Sequence, residues 1–568
     1  MSSIDYQTLS FEYRRCAEQD NGAAKHPVIV VGAGPVGLAT AIDLAQHGVP
    51  VVLVDDDCSL STGSRAICFS KRSLDIFDRL GCGDRMVDKG ISWNVGKVFL
   101  QDELLYTFNL LPEAGHHRPA FINLQQYYVE GFLLERAQSL PNIDIRWKNK
   151  VVGLQQHGEP GSADAFVTLT VETPDGEYPL CGRYVIAADG SRSPIRNMMG
   201  LDSKGRVFKD RFLIADVKME AEFPSERWFW FDPPFHPNQS VLLHHQPDNV
   251  WRIDFQLGWD ADPVLEKTPE RVLPRVRALL GPDVKFELEW VSVYTFSCLR
   301  MERFRHGNVV FVGDAAHLVS PFGARGANSG FQDAENIAWK LAMVLDGRAP
   351  DTLLDTYASE REYAADENIR NSTRSTDFIT PKSPVSRTFR DAVLKLARKH
   401  PFARALANSG RLSVPAVLRD STLNTADCDS FEDKMVPGTS CADAPVLLNG
   451  GPAWLLAQLG EVFTGVLFCG KDGIDAATQR ALNALHDGPI PLKLVIVARD
   501  GEGDAVRDPK GAVVLEDAER LAFSRYDATP GTFYLIRPDQ HVCARWRTLD
   551  AARVEAALKR TLCVEGIA

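Results

Sequence analysis

The sequence predicts an α/β protein in which an antiparallel sheet is inserted into a parallel one and a second α/β domain follows. Three observations carry this prediction. The segment HPVIVVGAGPVGLATAIDLAQHGVPVVLVDDD places an apolar strand, a glycine turn, a helix and a second apolar strand in succession, which is a βαβ unit. Between about Phe212 and Cys298, strand-like runs alternate with turn residues. After VPGTSCADAP, apolar strands again alternate with helical runs.

A chain of 568 residues is too long for one hydrophobic core, so we expect several domains. The changes in pattern along the chain predict five segments. These are an N-terminal arm (1–26), a first α/β domain in two parts (27–210 and 299–370), the inserted sheet (211–298), a helical connector (371–430) and the last domain (431–568).

Composition and charge exclude several classes of protein. The net charge of −12 and the lack of a basic stripe argue against a nucleic-acid partner. No apolar run approaches the roughly 20 residues needed to cross a bilayer, and the polar N-terminus lacks the apolar core of a signal peptide. The eleven cysteines include no C-x-x-C pair, which fits reduced thiols in the cytoplasm. We expect no metal site, because H-E-x-x-H is absent and the pairs His116-His117 and His244-His245 would each point to opposite sides of a strand.

The first chemical motif is GAGPVG, which follows the strand Val28–Val31 directly. Glycines here allow a tight turn and let a helix N-terminus approach a pyrophosphate. Asp55 ends the next strand, where a carboxylate can accept hydrogen bonds from both hydroxyls of an adenosine ribose. The segment therefore predicts a dinucleotide site. Its residues are Gly32, Ala33, Gly34, Pro35, Gly37 and Asp55.

Two further motifs lie far along the chain. YVIAADGSRSPIR is an apolar strand that ends in Asp189-Gly190, with Ser193 and Arg196 after it. GDAAHLVSPFGARGANSG, residues 313–330, is a glycine-rich path that leads directly into an amphipathic helix. A glycine fingerprint, a DG motif and a GD motif in this order and at these separations resemble the FAD-dependent aromatic hydroxylases, the single-component class A flavoprotein monooxygenases. The resemblance extends from Pro27 to Ser421.

The resemblance implies a Rossmann-like FAD-binding domain and a role for several residues of the third motif. Asp314, after Gly313, would hold the ribityl chain, and Pro321 would lie beside the flavin ring. The backbone N–H groups of Ala327 and Asn328, after Gly326, would point at the N1–C2=O edge of the flavin. A helix N-terminus with free donors would stabilise the anionic reduced flavin there, and glycine lets the backbone approach the ring.

Other residues match family positions less directly. The resemblance implies that Arg65 lies near the isoalloxazine and pyrophosphate and that Val151 contacts the adenine. Gln126 would touch the FAD linker, although the neighbouring Gln125 leaves that register open by one residue. Many members have G-Q-G or G-L-G where this chain has Ala324-Arg325-Gly326. Arg325 would therefore either hold an acidic substrate or the nicotinamide, or point to solvent.

The inserted sheet should cover the flavin ring as the substrate domain. In VWRIDFQL, alternation places Trp251, Ile253 and Phe255 on one face and Arg252, Asp254 and Gln256 on the other. Tyr294 and Arg252 are the first candidates for activating a phenol and pairing an acidic group of the substrate. His244 or His245 is the second. An ordinary packed or solvated face remains the alternative for each of these residues.

The reaction that the resemblance implies is hydroxylation of a small phenol, with or without a carboxylate. NADH or NADPH would reduce the FAD, O2 would add at the flavin C4a position, and the resulting hydroperoxide would deliver one oxygen atom to the ring. The alternatives are a monooxygenase of a larger polycyclic aromatic and a flavin-binding protein without turnover. A flavin halogenase is disfavoured, since W-x-W-x-I-P is absent. We expect a homodimer.

The last domain resembles the thioredoxin-like C-terminal domain of the larger hydroxylases, the phenol and 3-(3-hydroxyphenyl)propionate types. Cys469 stands alone at the end of TGVLFCG, so no dithiol can cycle there. An interface or structural role is therefore expected for this domain.

Overall fold

The computed structural model describes residues 6–22, 24–61, 63, 65–220, 223–407, 412–490, 492–499 and 511–564. Residues 1–5 and 23 of the expected N-terminal arm, and residues 491, 500–510 and 565–568 of the last domain, lie outside the described residues.

The first part of the chain holds nineteen of the strands that the structure describes. They are β1 (Lys25–Val31), β2 (Val51–Val54), β3 (Cys68–Ser70), β4 (Ile91–Trp93), β5 (Val95–Leu100), β6 (Glu103–Asn109), β7 (Phe121–Asn123), β8 (Ile143–Arg146), β9 (Lys150–His157), β10 (Phe166–Thr173), β11 (Gly176–Ala187), β12 (Ser203–Met219), β13 (Arg227–Phe231), β14 (Ser240–His245), β15 (Val250–Leu257), β16 (Phe286–Met301), β17 (Arg305–His306), β18 (Val309–Phe311) and β19 (His317–Leu318).

Seven more strands follow in the C-terminal part of the described chain. They are β20 (Pro445–Leu448), β21 (Gly451–Trp454), β22 (Phe463–Cys469), β23 (Leu492–Arg499), β24 (Val513–Asp517), β25 (Phe533–Ile536) and β26 (Val542–Trp546).

The helices of the described residues are α1 (Glu18–Asn21), α2 (Pro35–Gln46), α3 (Lys71–Arg79), α4 (Gly83–Lys89), α5 (Gln126–Gln138), α6 (Pro194–Met198), α7 (Pro269–Leu280), α8 (Gly326–Leu345), α9 (Leu353–Ile379), α10 (Pro384–Ala397), α11 (Pro401–Ala407), α12 (Ala476–His486), α13 (Leu521–Arg525) and α14 (Ala551–Thr561).

The first sheet has the parallel centre that the βαβ pattern predicts. Its strand order is β17-β18-β11-β1-β2-β8, and the pairs from β18 to β8 are parallel. The antiparallel strands β9 and β10 extend it from β11. Strands β2 and β18 and the last four residues of β1 are buried, as expected of apolar strands covered on both faces. The predicted βαβ unit is therefore confirmed.

The second sheet is the predicted antiparallel insertion, with additions. Its order is β19-β16-β12-β15-β14-β13-β5-β6. Strand β12 begins at Ser203, and the hairpin β5–β6 at residues 95–109 joins through a parallel pairing of β5 with β13. This hairpin lies within the segment that sequence reasoning placed in the first domain. Strand partners distant in the chain leave no local signal in a sequence, so periodicity did not indicate the pairing.

The C-terminal part contains a seven-stranded mixed sheet in the order β21-β20-β24-β23-β22-β25-β26. Strands β22, β23 and β24 are parallel, and α12 connects β22 to β23. Strand β25 runs antiparallel to β22 and pairs with β26, after which α14 follows. The expected alternation of strands and helices in this α/β part is therefore present.

The described part of the N-terminal arm lies against α5. The Tyr6 ring is buried and packs edge-on against Tyr128 and Phe132, with ring centroids 5.7 Å apart in both pairs. No helix among the described residues is long and apolar enough to cross a membrane.

Candidate active site

The three sequence motifs meet at one edge of the first sheet, at the carboxyl ends of β1, β11 and β18. Backbone hydrogen bonds fix their spacing: Ala188 N–H donates to the Val31 carbonyl at 2.8 Å, and Val312 N–H donates to the Ala187 carbonyl at 3.0 Å. Because parallel strands end at the same edge, the turns that follow them lie side by side. The structure thus brings together motifs that are almost 300 residues apart.

The glycine turn after β1 is closed on one side and open on the other. Gly32 has φ +106°, and a Cβ there would lie 2.5 Å from the Ala188 carbonyl oxygen. A Cβ on Gly37 would lie 1.9 Å from the Gly32 carbonyl oxygen, so α2 packs directly on the turn. At Gly34, the N-cap of α2 before Pro35, no atom lies within 4 Å of such a Cβ. That open side is where a pyrophosphate could approach the helix N-terminus.

Asp55 lies beside this turn. Its Oδ2 accepts a hydrogen bond from Ala33 N–H at 2.5 Å, and its Oδ1 accepts one from Asp57 N–H at 2.8 Å. Burial raises the pKa of this carboxyl. Asn149 N–H donates to the Asp55 carbonyl at 2.7 Å, which brings the buried Val151 to the same region. The two residues expected at the adenosine therefore lie near each other.

The DG motif reaches the GD loop through one arginine. Asp189 Oδ2 accepts a hydrogen bond from Ile195 N–H at 3.0 Å, whereas its Oδ1 is buried and has no hydrogen-bond partner. Burial raises the pKa of Asp189. Gly190 has φ +76° and open space at its Cβ position. Arg196 donates to the Ala315 carbonyl at 2.9 Å, next to Asp314.

Asp314 lies in a groove: its side chain is exposed, yet the surrounding protein raises the pKa of its carboxyl by burial. The backbone before it is held from behind, because Gly313 N–H donates to Asp333 Oδ2 at 2.9 Å. His317 and Arg361 hold the fully buried Asp333 at 2.7 and 2.6 Å. Burial opposes the ionisation of Asp333, but these two partners outweigh it and lower its pKa.

Helix α8 begins at Gly326, directly after the GD loop. The backbone N–H groups of Ala327 and Asn328 have no acceptor among the described residues, as the first turn of a helix leaves them without an internal partner. The Asn328 side chain accepts from Ser70 N–H at 2.9 Å and donates to the Cys68 carbonyl at 2.9 Å. It therefore fixes the start of α8 against β3.

Two of the softer expectations gain a location. The exposed Arg65 lies close enough to Tyr294 and Asp314 for its charge to oppose the rise in pKa that burial causes in both groups. Gln126 Oε1 accepts from Ala66 N–H at 3.1 Å, whereas Gln125 donates to the Pro247 carbonyl at 3.0 Å. Of the two glutamines, Gln126 is thus the one bonded to the segment that carries Arg65.

Pro321 is exposed in the GD loop, and the next residue anchors that loop to the inserted sheet. The Phe322 ring packs against Phe212 and Phe296, with centroids 5.0 and 5.3 Å away. Arg325 does not point to solvent, one of its two expected positions, since it is buried and donates to Asn368 of α9 at 3.1 Å. Its contact with an acidic substrate or the nicotinamide stays a prediction.

One face of the inserted sheet, which we call its polar face, carries buried charged and polar side chains among apolar ones, and strand register arranges them in transverse rows. We use the name polar row for the level that crosses β16, β12, β15, β14 and β13, and name its members here: Trp290, Asp216, Arg252, His244 and Arg227. The next level holds Ser292, Ile214, Asp254, Leu242 and Phe229. A third level begins with Tyr294 and Phe212.

Arg252 is not free to pair a substrate group as expected. Its guanidinium is buried and makes two hydrogen bonds to Asp216, at 2.8 and 2.7 Å, and one to the Arg65 carbonyl at 3.4 Å. Asp216 comes from β12, which is 36 residues away in the chain, so alternation along β15 could not indicate this partner. Arg252 connects the sheet to the Arg65 segment instead.

The two adjacent histidines point to opposite faces, and only His244 lies in the polar row. His245 stacks on Trp251 with centroids 4.2 Å apart, on the face that packs against α7, so its candidacy is withdrawn. His244 Nε2 lies 3.8 Å from Asp254 Oδ2. Burial, reinforced by Arg227 and Arg252, places the pKa of His244 well below its usual value, and burial raises the pKa of Asp254 to about 6.

Tyr294 shares this face and is half-buried. Burial raises the pKa of its hydroxyl, the charges of Arg65 and Arg252 oppose that rise, and Asp314 adds to it. These charges connect Tyr294 to both the polar row and the GD loop. It is the sequence candidate that lies between the sheet and the predicted flavin site.

Sequence reasoning missed three charged residues of this region: Asp216, Asp333 and Arg227. Arg227 is the single charged residue of RWFWF, whereas Asp216 and Asp333 share FLIADVKME and GFQDAEN with other charged residues and so did not stand out. Among the described residues, no group of three or more His, Cys, Asp or Glu side chains could hold a metal ion.

The residues present fit FAD. Open space at Gly34 and Gly190 leaves room for a ligand next to backbone, and the first-turn N–H groups of α2 and α8 are donors for an anionic group. The unpartnered Asp189 Oδ1 and the groove-lining Asp314 are acceptors for hydroxyl groups.

Comparisons with known proteins agree with this geometry. Residues 25–372 match the family model described as FAD binding domain. A 3-(3-hydroxy-phenyl)propionate/3-hydroxycinnamic acid hydroxylase of Burkholderia vietnamiensis (strain G4 / LMG 22486) is 28% identical over 94% of this chain and 96% of its own length. A probable NADH-specific resorcinol 4-hydroxylase of Rhodococcus jostii (strain RHA1) is 29% identical over 77% of this chain and 80% of its own length.

A solved structure shares the fold as well. Aklavinone-11 hydroxylase, crystallised in a ternary complex with FAD and aklavinone, superimposes with a TM-score of 0.74 at 24% identity, over 95% of this chain and 100% of that chain. Together with the three converging motifs and a family match over more than half of its length, this shows that the chain belongs to the FAD binding domain family.

Proposed function

We propose that this protein is an FAD-dependent monooxygenase that hydroxylates a small phenolic ring with NADH or NADPH and O2. The observation that carries the proposal is the polar face of the inserted sheet, which lies against the loops where the flavin motifs meet. Phe322 and Arg252 connect the two directly. The hydroxylases of phenolic compounds among the relatives support a phenolic substrate.

When bound, FAD supplies the redox chemistry, taking a hydride from NADH or NADPH and passing one atom of O2 to the ring carbon. The chain binds and orients it. The α2 N-terminus at Gly34 would hold the pyrophosphate, Asp55 the adenosine ribose and Asp314 the ribityl chain. The N–H groups of Ala327 and Asn328 would stabilise negative charge on the flavin ring.

Asp254 is the group we assign to removal of the phenol proton. Its Oδ1 is buried without a hydrogen-bond partner, and a pKa of about 6 leaves it largely ionised at neutral pH. A general base works best when its pKa lies near the working pH. Tyr294 would donate a hydrogen bond to the phenolate oxygen that remains. The negative charge left by removal of the proton would make the ring carbon a better nucleophile.

The test is oxidation of NADH and NADPH by the FAD-loaded protein in air, with and without a panel of monocyclic phenols and phenolic acids. We expect one compound to accelerate oxidation and to yield a product heavier by one oxygen atom. Polycyclic phenols form the second arm of the panel, because the aklavinone complex shows that the same fold accommodates a polycyclic ligand in another protein.

A flat response to both arms from a yellow, FAD-loaded protein would contradict monooxygenase activity and favour a binding role. Acceleration by the polycyclic compounds alone would overturn the small-substrate proposal. A colourless protein that takes up no added FAD would contradict the assignment of the cofactor itself.

We also propose that the last domain, 431–568, is thioredoxin-like, and we keep the other predicted boundaries (1–26, 27–210, 211–298, 299–370 and 371–430) as proposals. The parallel pair β22–β23 with its connecting helix α12, followed by the antiparallel pair β25–β26 and α14, supports this assignment. The domain lacks a C-x-x-C pair, so a structural role fits it better than a redox one.

A homodimer is proposed through the outer face of α10 and α11. Apolar side chains at helical spacing are exposed there, with Val385 79% exposed, Phe389 61% and Phe402 63%. Double substitution Phe389→Ser/Phe402→Ser should convert the dimer to a monomer in sedimentation, and an unchanged mass would contradict this interface.

All eleven cysteines are free thiols, which supports a cytoplasmic location.

A further inference from the structure

Arg227 is the one arginine of the polar row that has no partner in the described chain. It begins β13, lies level with His244 of β14, and is only 8% exposed. Its guanidinium makes no hydrogen bond or ion pair with any described residue, whereas Arg252, two strands away, is held twice by Asp216. The same sheet face thus carries one paired and one unpaired buried guanidinium.

An unpaired buried charge is costly, because taking an ion out of water is repaid only by a close opposite charge and satisfied hydrogen bonds. Arginine is almost never fully buried unless it is paired. The pKa of Arg227 is lowered by burial, as expected when no carboxylate contacts it. An anionic group of a ligand at this position would offset the free-energy cost of burying the unpaired guanidinium.

Asp254 does not fill that role. The charge of Asp254 opposes the lowering of the Arg227 pKa, yet within the described part of the chain the two side chains do not form an ion pair. Asp254 lies one level further along the sheet and approaches His244 instead. Once Asp254 takes up the phenol proton, as we propose above, it no longer offsets the charge of Arg227.

The position of Arg227 favours a ligand in the substrate site. Arg227 lies level with His244, whose Nδ1 is 3.9 Å from the Cys68 sulfur, and Cys68 belongs to the segment that Asn328 ties to the start of α8. An anionic group bound at Arg227 would lie between the sheet and β3, with the rest of the molecule free to extend along the face toward Asp254 and Tyr294.

We propose that Arg227 binds a carboxylate of the substrate, so that the physiological substrate is a phenolic acid rather than an uncharged phenol. This inference rests on the proposed function. A guanidinium can hold a carboxylate through two parallel hydrogen bonds, which would fix both the position and the rotation of the ring relative to the flavin.

The test compares three acids, 3-hydroxybenzoate, 3-hydroxyphenylacetate and 3-(3-hydroxyphenyl)propionate, each with its uncharged primary amide. We expect the wild-type enzyme to prefer at least one acid over its amide. Arg227→Gln should raise the KM for that acid about 10- to 100-fold, the range expected for loss of a charge-assisted hydrogen bond, and leave the amide nearly unchanged. Arg227→Lys should restore part of the preference.

Arg206→Gln is the matched control, because Arg206 is an exposed arginine of β12 in the same sheet, paired with Asp377. It should leave both KM values and the FAD content at wild-type levels. Retention of the acid-over-amide preference in Arg227→Gln, at normal FAD content, would overturn the assignment. A wild-type enzyme that turns over amides as well as acids would overturn it too.

Direct titration separates this inference from the proposed function. Binding of each acid to the wild-type protein is followed by the change in the flavin absorption spectrum, which needs no turnover. Suppose that no phenol stimulates NADH or NADPH oxidation but that an acid still binds, and that Arg227→Gln or Arg227→Lys weakens this binding. That result would overturn the proposed function and support Arg227 as the carboxylate-binding residue. If Arg227→Gln does not retain FAD, the test uses Arg227→Lys instead. Equal affinity of Arg227→Lys and wild type for the acids would contradict a site in which Arg227 makes two hydrogen bonds to the carboxylate.

Discussion

At the scale of single residues, the site depends on which buried charges have partners. Asp216 neutralises Arg252, and His317 and Arg361 hold Asp333. Within the described residues, Asp254 and Arg227 have no close partner of opposite charge. Residues of the first kind are fixed in place, so they position backbone and sheet. Residues of the second kind are available to a ligand, which is why the proposals for phenol activation and anion binding rest on them.

Asp254 should determine the pH dependence of hydroxylation. Its pKa of about 6 means that it is protonated below that pH, so the rate under single-turnover conditions should fall as the pH drops through about 6. In Asp254→Asn the rate should be about 100-fold lower, the lower end of what a general base contributes, and flat across this window. The measurement is the single-turnover rate between pH 5 and 8.

Asp260→Asn, at an exposed aspartate in the loop after β15, is the control and should keep the wild-type inflection near pH 6 in the pH profile of the rate.

A second readout for Asp254 is the pH dependence of the free energy of unfolding. The folded protein binds a proton at Asp254 between pH 3.8 and about 6 that the unfolded chain does not, so Asp254 lowers stability as the pH rises across that range. Asp254→Asn should remove this component. An unchanged inflection near pH 6 in Asp254→Asn would assign it to another group.

Tyr294 should affect product formation without affecting the cofactor. Tyr294→Phe removes the hydroxyl that we expect to donate to the phenolic oxygen, so hydroxylation should slow about 10- to 100-fold. NADH oxidation and FAD content should stay near wild type, and the product formed per NADH should therefore fall. Tyr363→Phe, at an exposed tyrosine of α9, is the control. Normal product per NADH in Tyr294→Phe would remove Tyr294 from the mechanism.

At the scale of elements, the turn between β1 and α2 separates a folding requirement from a binding one. Gly37 is required for packing, because its Cβ would lie 1.9 Å from the Gly32 carbonyl oxygen. Gly34 has φ −70° and no neighbour within 4 Å of a Cβ, so alanine there should not disturb the protein without ligand. The two positions belong to one motif but meet different physical demands.

Gly34→Ala should therefore weaken FAD binding while preserving the fold. The added methyl group would occupy the open side of the turn, and we expect FAD affinity to fall about 10- to 100-fold, as for an overpacked contact. The FAD-free protein should keep its circular dichroism spectrum and thermal midpoint. Gly258→Ala, at an exposed glycine with equally open surroundings, should change neither property. Wild-type FAD affinity in Gly34→Ala would contradict a pyrophosphate at this turn.

At the scale of the whole molecule, a buried ion network joins the C-terminal sheet to α8 and α9, the helices behind the proposed flavin site. Arg537, between β25 and β26, makes two hydrogen bonds to Glu360 of α9, at 2.7 and 3.1 Å, and pairs with Asp539. Lys340 of α8 reaches the same Glu360 at 2.7 Å. All four side chains are fully buried or nearly so. The last domain therefore contacts α9 directly and is connected through Glu360 to α8, the helix whose first turn we propose faces the flavin.

Arg537→Met should destabilise the protein and release FAD at lower denaturant. Removing Arg537 leaves Asp539 without its arginine partner and Glu360 with Lys340 alone, at a cost of about 3–5 kcal/mol, the range for breaking a buried ion pair. The measurement is urea unfolding followed by both flavin fluorescence and tryptophan fluorescence. Arg553→Ala, at an exposed arginine of α14, is the control. Coincident wild-type midpoints in Arg537→Met would show that the network does not connect the two parts energetically.

The sequence by itself determined the local structure and the order of the flavin motifs. Apolar runs, turn residues and alternation predicted the βαβ unit, the antiparallel insertion and the polar face of β15, because these depend on neighbours within a few residues. The glycine fingerprint with Asp55 indicated a dinucleotide site on physical grounds, and the resemblance of all three motifs to the aromatic hydroxylases implied that this dinucleotide is FAD.

The tertiary structure alone decided which charges are paired. Arg252 and Arg227 look alike in the sequence, but strand register places Asp216 against one and no carboxylate against the other. Strand pairing also added the distant hairpin β5–β6 to the sheet. The pairing of β14 with β15 placed His245 on Trp251, on the face away from the polar row. The partner of a buried charge lies on a strand far away in the chain, so a pattern within a few residues cannot show which partner it has.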